Sequence, residues 1–229
     1  MNRTPSLPLR SPSPLSRRGA LALLGVFALA LGACSDATPI AEARDQGTGA
    51  EVTVEGYVSV QPGAFVSALG DEGFALQDDT GGIYVKLDPK QTFGLGAHVR
   101  VSGTLDEQNQ LRILKAVAGD VKLLSGTKQV SAAEVTTGGV NESVEGELIS
   151  VTGAITQAFQ DDSPYGYKLY INDGSGEVQV FVHVSAGFDK AALQALTVGQ
   201  RLRVVGLAAQ YETTYEVAPR APSDLSVIP

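Results

Sequence analysis

Few residues of this 229-residue chain are spaced for covalent chemistry. The adjacent carboxylates Asp78-Asp79 and Asp161-Asp162 are the nearest approach to a hard-cation site. Neighbouring residues on a strand point to opposite faces, and both pairs fall in turn-like stretches, so solvated turn residues are the better reading. His98 and His183 are the only two histidines, too few for a His-rich metal site, and they read as ordinary surface or rim residues of separate strands. Cys34 is the single cysteine and excludes an intrachain disulfide. There is no nucleophile elbow, P-loop, HExxH or CxxC, and no glycine fingerprint opening a helix. With no nucleophile–base pair to draw, the expectation is a protein that is not an enzyme and needs no cofactor or metal.

Binding chemistry is better represented. Tyr84 with Lys86, and Tyr170 with Lys168, each set an aromatic ring beside a cation on one strand. Such pairs suit a flexible oligomer, because a base or sugar stacks on the ring while the cation meets a phosphate or hydroxyl. Alternation puts Phe181, Gln179, Arg100 and Arg203 on the same outward parity. Against this, strands favour aromatics simply because they pack well. The formal net charge of −8, with no Lys/Arg run, also opposes phosphate binding in general. Screening over about 8 Å still leaves room for a local basic patch.

The elements that must position these residues repeat at a period of about 100 residues. In the first copy, 52–58 alternates apolar and polar around Gly56; in the second, 148–155 does the same around Gly153. A hairpin follows in each, 74–85 turning at Asp78 to Gly81 and 169–180 turning at Asp173 to Gly176. Fourth strands begin after Gly96 and Gly199 and carry second glycines at 103 and 206; fifth strands lie near 111–117 and 214–218. Residues 188–196 form a short helix capped by Asp189, with Leu193 and Leu196 on one face, whereas the matching slot near 88–95 has none. Ser131 to Glu134 fits a capping box and predicts one helical turn before Val144.

Five strands, a glycine kink in the first and a helix between the third and fourth define an all-β chain of two tandem five-stranded OB-fold barrels, the second with the short helix. Gly146 to Gly153, Asn172 to Gly176, Val198-Gly199 and Tyr215 to Leu225 resemble OB-fold domains of exported bacterial proteins, which are often appended to secreted nucleases and phosphoesterases. The resemblance covers 142–228 well and 50–124 more loosely. It implies an accessory or binding module, since this chain has no room for a separate catalytic domain.

The amino terminus reads as an address. Arg3, Arg10, Arg17 and Arg18 precede an apolar run from Ala20 to Leu31, too short to span a hydrocarbon layer of about 30 Å. Leu31-Gly32-Ala33-Cys34 resembles the lipobox of bacterial lipoproteins, which implies cleavage before Cys34 and its acylation. Ser16 to Gly19 leaves Sec and twin-arginine export both open. All 25 acidic residues but only 13 of the 17 basic ones follow residue 33, so the exported form carries −12. The expected organisation is a signal peptide over 1–33, a flexible tether over 34–49, barrels over 50–126 and 144–229, and a linker over 127–143. That describes an exported, lipid-anchored envelope protein. Its partner is single-stranded nucleic acid or a similar oligomer, an envelope protein, or a saccharide held on the same tyrosines.

Overall fold

The computed structural model describes residues 37–229; the segment 1–33 expected as an export signal, and Cys34, lie outside the described residues. After a one-turn helix α1 (Ile40–Arg44), the first barrel is built from β1 (Glu51–Val60), β2 (Phe74–Gln77), β3 (Gly82–Lys86), β4 (Ala97–Gln108) and β5 (Leu111–Lys115), with α2 (Val66–Leu69) between β1 and β2. The strand order is β1-β2-β3-β5-β4, and β1 pairs with β4 to close the ring. β3 and β5 run parallel, while the other neighbours are antiparallel. A sixth strand, β6 (Val121–Thr127), lies along the free edge of β4. Alternation drives the closure, with Val52, Val54, Phe74, Leu76, Ile83, Val85, Val99, Val101 and Leu114 filling the interior.

Two short strands, β7 (Ala133–Glu134) and later β9 (Gln160–Asp162), decorate the second barrel. Its ring consists of β8 (Leu148–Ile155), β10 (Gly166–Asn172), β11 (Glu177–His183), β12 (Arg201–Tyr211) and β13 (Thr214–Ala218), and β14 (Leu225–Ile228) flanks β12. The order β8-β10-β11-β13-β12, closed by β12 on β8 with β11 parallel to β13, repeats that of the first barrel. Both rings are OB folds. The helix α3 (Lys190–Gln194) sits between β11 and β12, and the Asp189 carboxylate accepts from the Ala191 amide at 2.9 Å. Leu193 from α3 enters the core, with Leu196 packed against it. The kink glycines are matched as well: a Cβ on Gly56 would lie 2.8 Å from the Gln77 carbonyl, and one on Gly153 would lie 2.9 Å from the Asn172 backbone.

The structure departs from the sequence reading in two places along the connectors. The stretch expected as a flexible tether is docked from Thr38 onward: Ile40 and Ala43, on one face of α1, are fully buried in the first barrel's core. The Ile40 amide donates to Asp78 at 2.9 Å, and Thr38 donates to the Thr53 carbonyl at 2.7 Å. A five-residue helix is too short to show a period, but burying one Ile contributes about 1.5–3 kcal/mol, enough to hold it. The second departure is Ser131 to Glu134, which is extended and not a capped helix. Ala133 and Glu134 pair in parallel with Ile149 and Ser150, and that ladder outweighs one local cap. The helical turn before Val144 is a 3-10 turn at Glu142–Val144, capped by Asn141.

The two barrels share a third core. Ala75, Tyr84, Leu111 and Ile113 on the outer face of the first barrel, with Val60, Ala64 and Phe65, pack on Leu207, Ala209 and Ala218 of the second. Backbone meets backbone beside it: a Cβ on Gly82 would overlap the Gly146 carbonyl, so glycine alone permits the approach. Gln77 Oε1 accepts from the Leu148 amide at 2.8 Å, and Arg44 of α1 pairs with the buried Glu145 at 2.9 Å. Arg220 donates to the Ser59 carbonyl at 2.9 Å while holding Asp224 bidentately.

Candidate functional site

The outer face of β2, β3 and β5, and its counterpart on β10, β11 and β13, have diverged. Register places Ala75, Tyr84 and Ile113 abreast in the first barrel. The equivalent row in the second is Tyr170, Gln179 and Glu216, continued by Ala209 on β12. The first row is apolar and covered by the other barrel. The second row is polar and lines a cleft, with Tyr170 half-buried and Gln179 and Glu216 buried at its floor.

That cleft is about 670 Å³. Barrel 2 supplies its floor, and barrel 1 supplies a wall from Phe65 and Leu69 around α2 and from Gln108, Asn109 and Leu111 at the β4–β5 turn. Along the floor, Tyr170 donates its hydroxyl to Gln179 Oε1 at 3.0 Å, and Gln179 Nε2 donates to Glu216 at 2.6 Å. The next row is Lys168 and Phe181, and the third is Gly166 and His183. Gly166 is bare because the Phe181 ring lies where its Cβ would be. Phe65 stacks on His183 at 4.4 Å between centroids, and Phe181 meets His183 edge-on at 5.0 Å. Tyr165 and Tyr211 stand exposed at the rim.

Burial sets the electrostatics. Glu216 is 7% exposed, and desolvation pushes its carboxyl up to about 7, against the opposing effects of the Gln179 hydrogen bond and the Lys168 charge. His183 is 3% exposed with its Nδ1 unpartnered, and burial pushes it down to about 3, so it is neutral at physiological pH. Lys168 pairs with Asp162 at 3.0 Å. Among the described residues, the lining holds Lys168 as its one cation, against Asp162, Glu212 and Glu216.

Of the residues singled out from sequence, Lys168, Tyr170 and Phe181 are brought together here. Tyr84 faces away from its barrel's interior as alternation requires, yet it is 2% exposed and points into the contact between barrels. Its hydroxyl donates to the buried Asp71 at 2.8 Å, so no ligand reaches the ring. Lys86 bonds Gln108 and lies 3.9 Å from Asp71. Arg100 and Arg203 do sit at matching outward positions, but on the opposite walls of the barrels, paired with Glu55 and with Glu134. His183 is buried in the cleft and is not a rim residue; the Phe65 ring from the other barrel covers it.

Sequence reasoning missed Glu216, Phe65 and Tyr211. Strand parity gives Glu216 an outward face, but only the parallel pairing of β13 with β11 puts it beside Gln179. A second aromatic–basic patch was also missed: Tyr57 stacks on His98 at 4.8 Å with Lys128 Nζ 5.6 Å above the ring, on the outside of barrel 1. Among the described residues, no three His, Cys, Asp or Glu side chains are grouped to hold a metal ion. No helix among them is long and apolar enough to cross a membrane.

Fold and cleft together define a protein of tandem OB barrels with a cleft beside the second. No protein-family model matches the chain, and no curated protein does. Solved structures similar to it include a p204 HINb domain, at 15% identity over 80% of this chain and 100% of that one, with a TM-score of 0.36. A murine DNA-binding protein bound with double-stranded DNA matches at 12% identity over 76% of this chain and 95% of that one, with a TM-score of 0.39. The single-stranded DNA-binding protein of Thermus aquaticus matches at 14% identity over 80% and 95%, with a TM-score of 0.28.

Proposed function

We propose that this protein is a non-catalytic binding module that holds single-stranded nucleic acid, or a similar flexible oligomer, in the cleft between its barrels. Acylation of Cys34 would hold it on a membrane of the cell envelope, after export directed by residues 1–33. The observation that carries the reading is the juxtaposition of Tyr170 and Lys168 in the cleft, beside the buried Phe181 and walled by the first barrel. The Tyr170 hydroxyl is tethered to Gln179, so the ring is a preorganised platform. With one lysine in the lining, affinity rests on stacking more than on phosphate contacts, and its salt dependence is shallow.

Fluorescence anisotropy of a labelled single-stranded oligonucleotide against the full chain, purified in detergent, tests this at low and physiological salt. Tyr170→Ala is expected to weaken binding about tenfold, the share of one stacked base. A flat titration at low salt would reject the nucleic-acid reading. It would favour an envelope protein as partner, which the acidic charge and the exposed Leu123 and Val227 on β6 and β14 support.

A further inference from the structure

We propose that the cleft selects bases that present an amino edge, with Glu216 as the acceptor that reads them. This rests on the single-stranded nucleic-acid reading and adds to it a specificity that stacking alone does not give. Stacking tolerates any base, because each has a π-face. A carboxylate does not: it accepts from the exocyclic amine of cytosine or adenine, or from the imino and amino hydrogens of guanine, whereas thymine and uracil offer only an imino hydrogen flanked by two carbonyls that it repels.

The geometry supplies the acceptor in the right place. Glu216 lies in the same transverse row as Tyr170, two strands away with Gln179 between them, so the carboxyl is on the side toward which a ring resting on Tyr170 can turn an edge along the row. Gln179 occupies one Glu216 oxygen at 2.6 Å, and no other side chain or amide among the described residues hydrogen-bonds the carboxyl. Ala209 is the neighbour on the far side, where a larger residue would fill the space. The wall from barrel 1 brings Phe65, Leu69, Leu111, Gln108 and Asn109, none of them charged. The ionisable groups around Glu216 are therefore Lys168 and Asp162, which neutralise each other, together with neutral His183 and with Glu212 at the rim. A buried carboxyl with one oxygen held by Gln179 and the other left to a ligand accepts a hydrogen-bond donor, and an amino-bearing base brings one without the charge of a phosphate.

The test is anisotropy of labelled oligo-dC and oligo-dT of equal length against the full chain, from pH 5.5 to 8. Oligo-dC is expected to bind about tenfold more tightly at pH 8, with the preference shrinking toward pH 5.5 as Glu216 takes up its proton. Glu216→Gln keeps the side chain's shape and should lower oligo-dC affinity about tenfold at pH 8 while changing oligo-dT less than twofold. Tyr170→Phe breaks the tether yet keeps the ring, and should narrow the preference without abolishing binding. Equal affinities for the two oligomers, with Tyr170→Ala still weakening both, would overturn base selection and leave the binding function standing. Failure of every oligonucleotide to bind would overturn both.

Discussion

Glu216→Gln has a consequence for folding that is separable from any ligand. In the folded protein burial raises the carboxyl from its ordinary 4.5 to about 7. Between those values the native state holds a proton that the unfolded chain has released, so stability falls as pH rises through the window. At about 1.4 kcal/mol per pH unit, the loss amounts to about 3 kcal/mol by pH 7. His183 acts with the opposite sign. Its folded value of about 3 lies below its ordinary 6.5, so it contributes stability that is complete above pH 6.5 and is lost as pH falls toward 3. From pH 4.5 to 6.5 the two slopes oppose each other and the wild-type profile hides both. The difference between Glu216→Gln and wild type removes His183 and isolates the carboxyl. Urea unfolding at pH 4.5, 6 and 8 should show little gain for the variant at the lowest pH and a gain of about 3 kcal/mol at the highest. By thermal melting the gain at pH 8 is about 6–12 °C for a chain of this size. A stability difference that does not change with pH would refute the claim that Glu216 is desolvated in the cleft.

Other perturbations test the joints between elements. Tyr84→Phe removes the donor to Asp71, whose carboxyl burial already holds above the usual range, and should destabilise the protein by about 1.5–3 kcal/mol in urea unfolding. Ile40→Ala empties the end of the first barrel and should cost about 2–5 kcal/mol, with protease cleavage before residue 50 appearing ahead of global unfolding. Cys34→Ser should move the protein from the membrane fraction to the soluble fraction of fractionated cells; unchanged partitioning would rule out the lipid anchor.

Much of the barrel architecture was legible because OB strands advertise themselves in sequence. Val52 to Val58 alternates, Asp78 and Asp173 fold their own turns, and Gly103 and Gly206 stand where a Cβ would overlap the Lys115 and Ala218 carbonyls. Asp189 and Leu193 likewise marked α3 from local chemistry alone. What alternation cannot say is which outward face meets solvent. Tyr84 and Tyr170 share an outward parity, yet one is sealed by Leu207, Ala209 and Ala218 and the other lines a cleft. The sixth strands were invisible for a related reason: β6 and β14 are edge strands with mostly exposed residues, so burial imprints little period on them. Glu216, Phe65 and His183 converge only through pairings between distant segments, and no local signal records that.

The most direct test of the account is to map where a single strand sits. An oligonucleotide carrying a photoreactive pyrimidine, crosslinked to the full chain and read by mass spectrometry, should form adducts at Tyr170, with Tyr165 and Tyr211 at the rim. Adducts confined to the Tyr57–His98 patch on the outside of the first barrel would contradict the assignment of the cleft as the binding face.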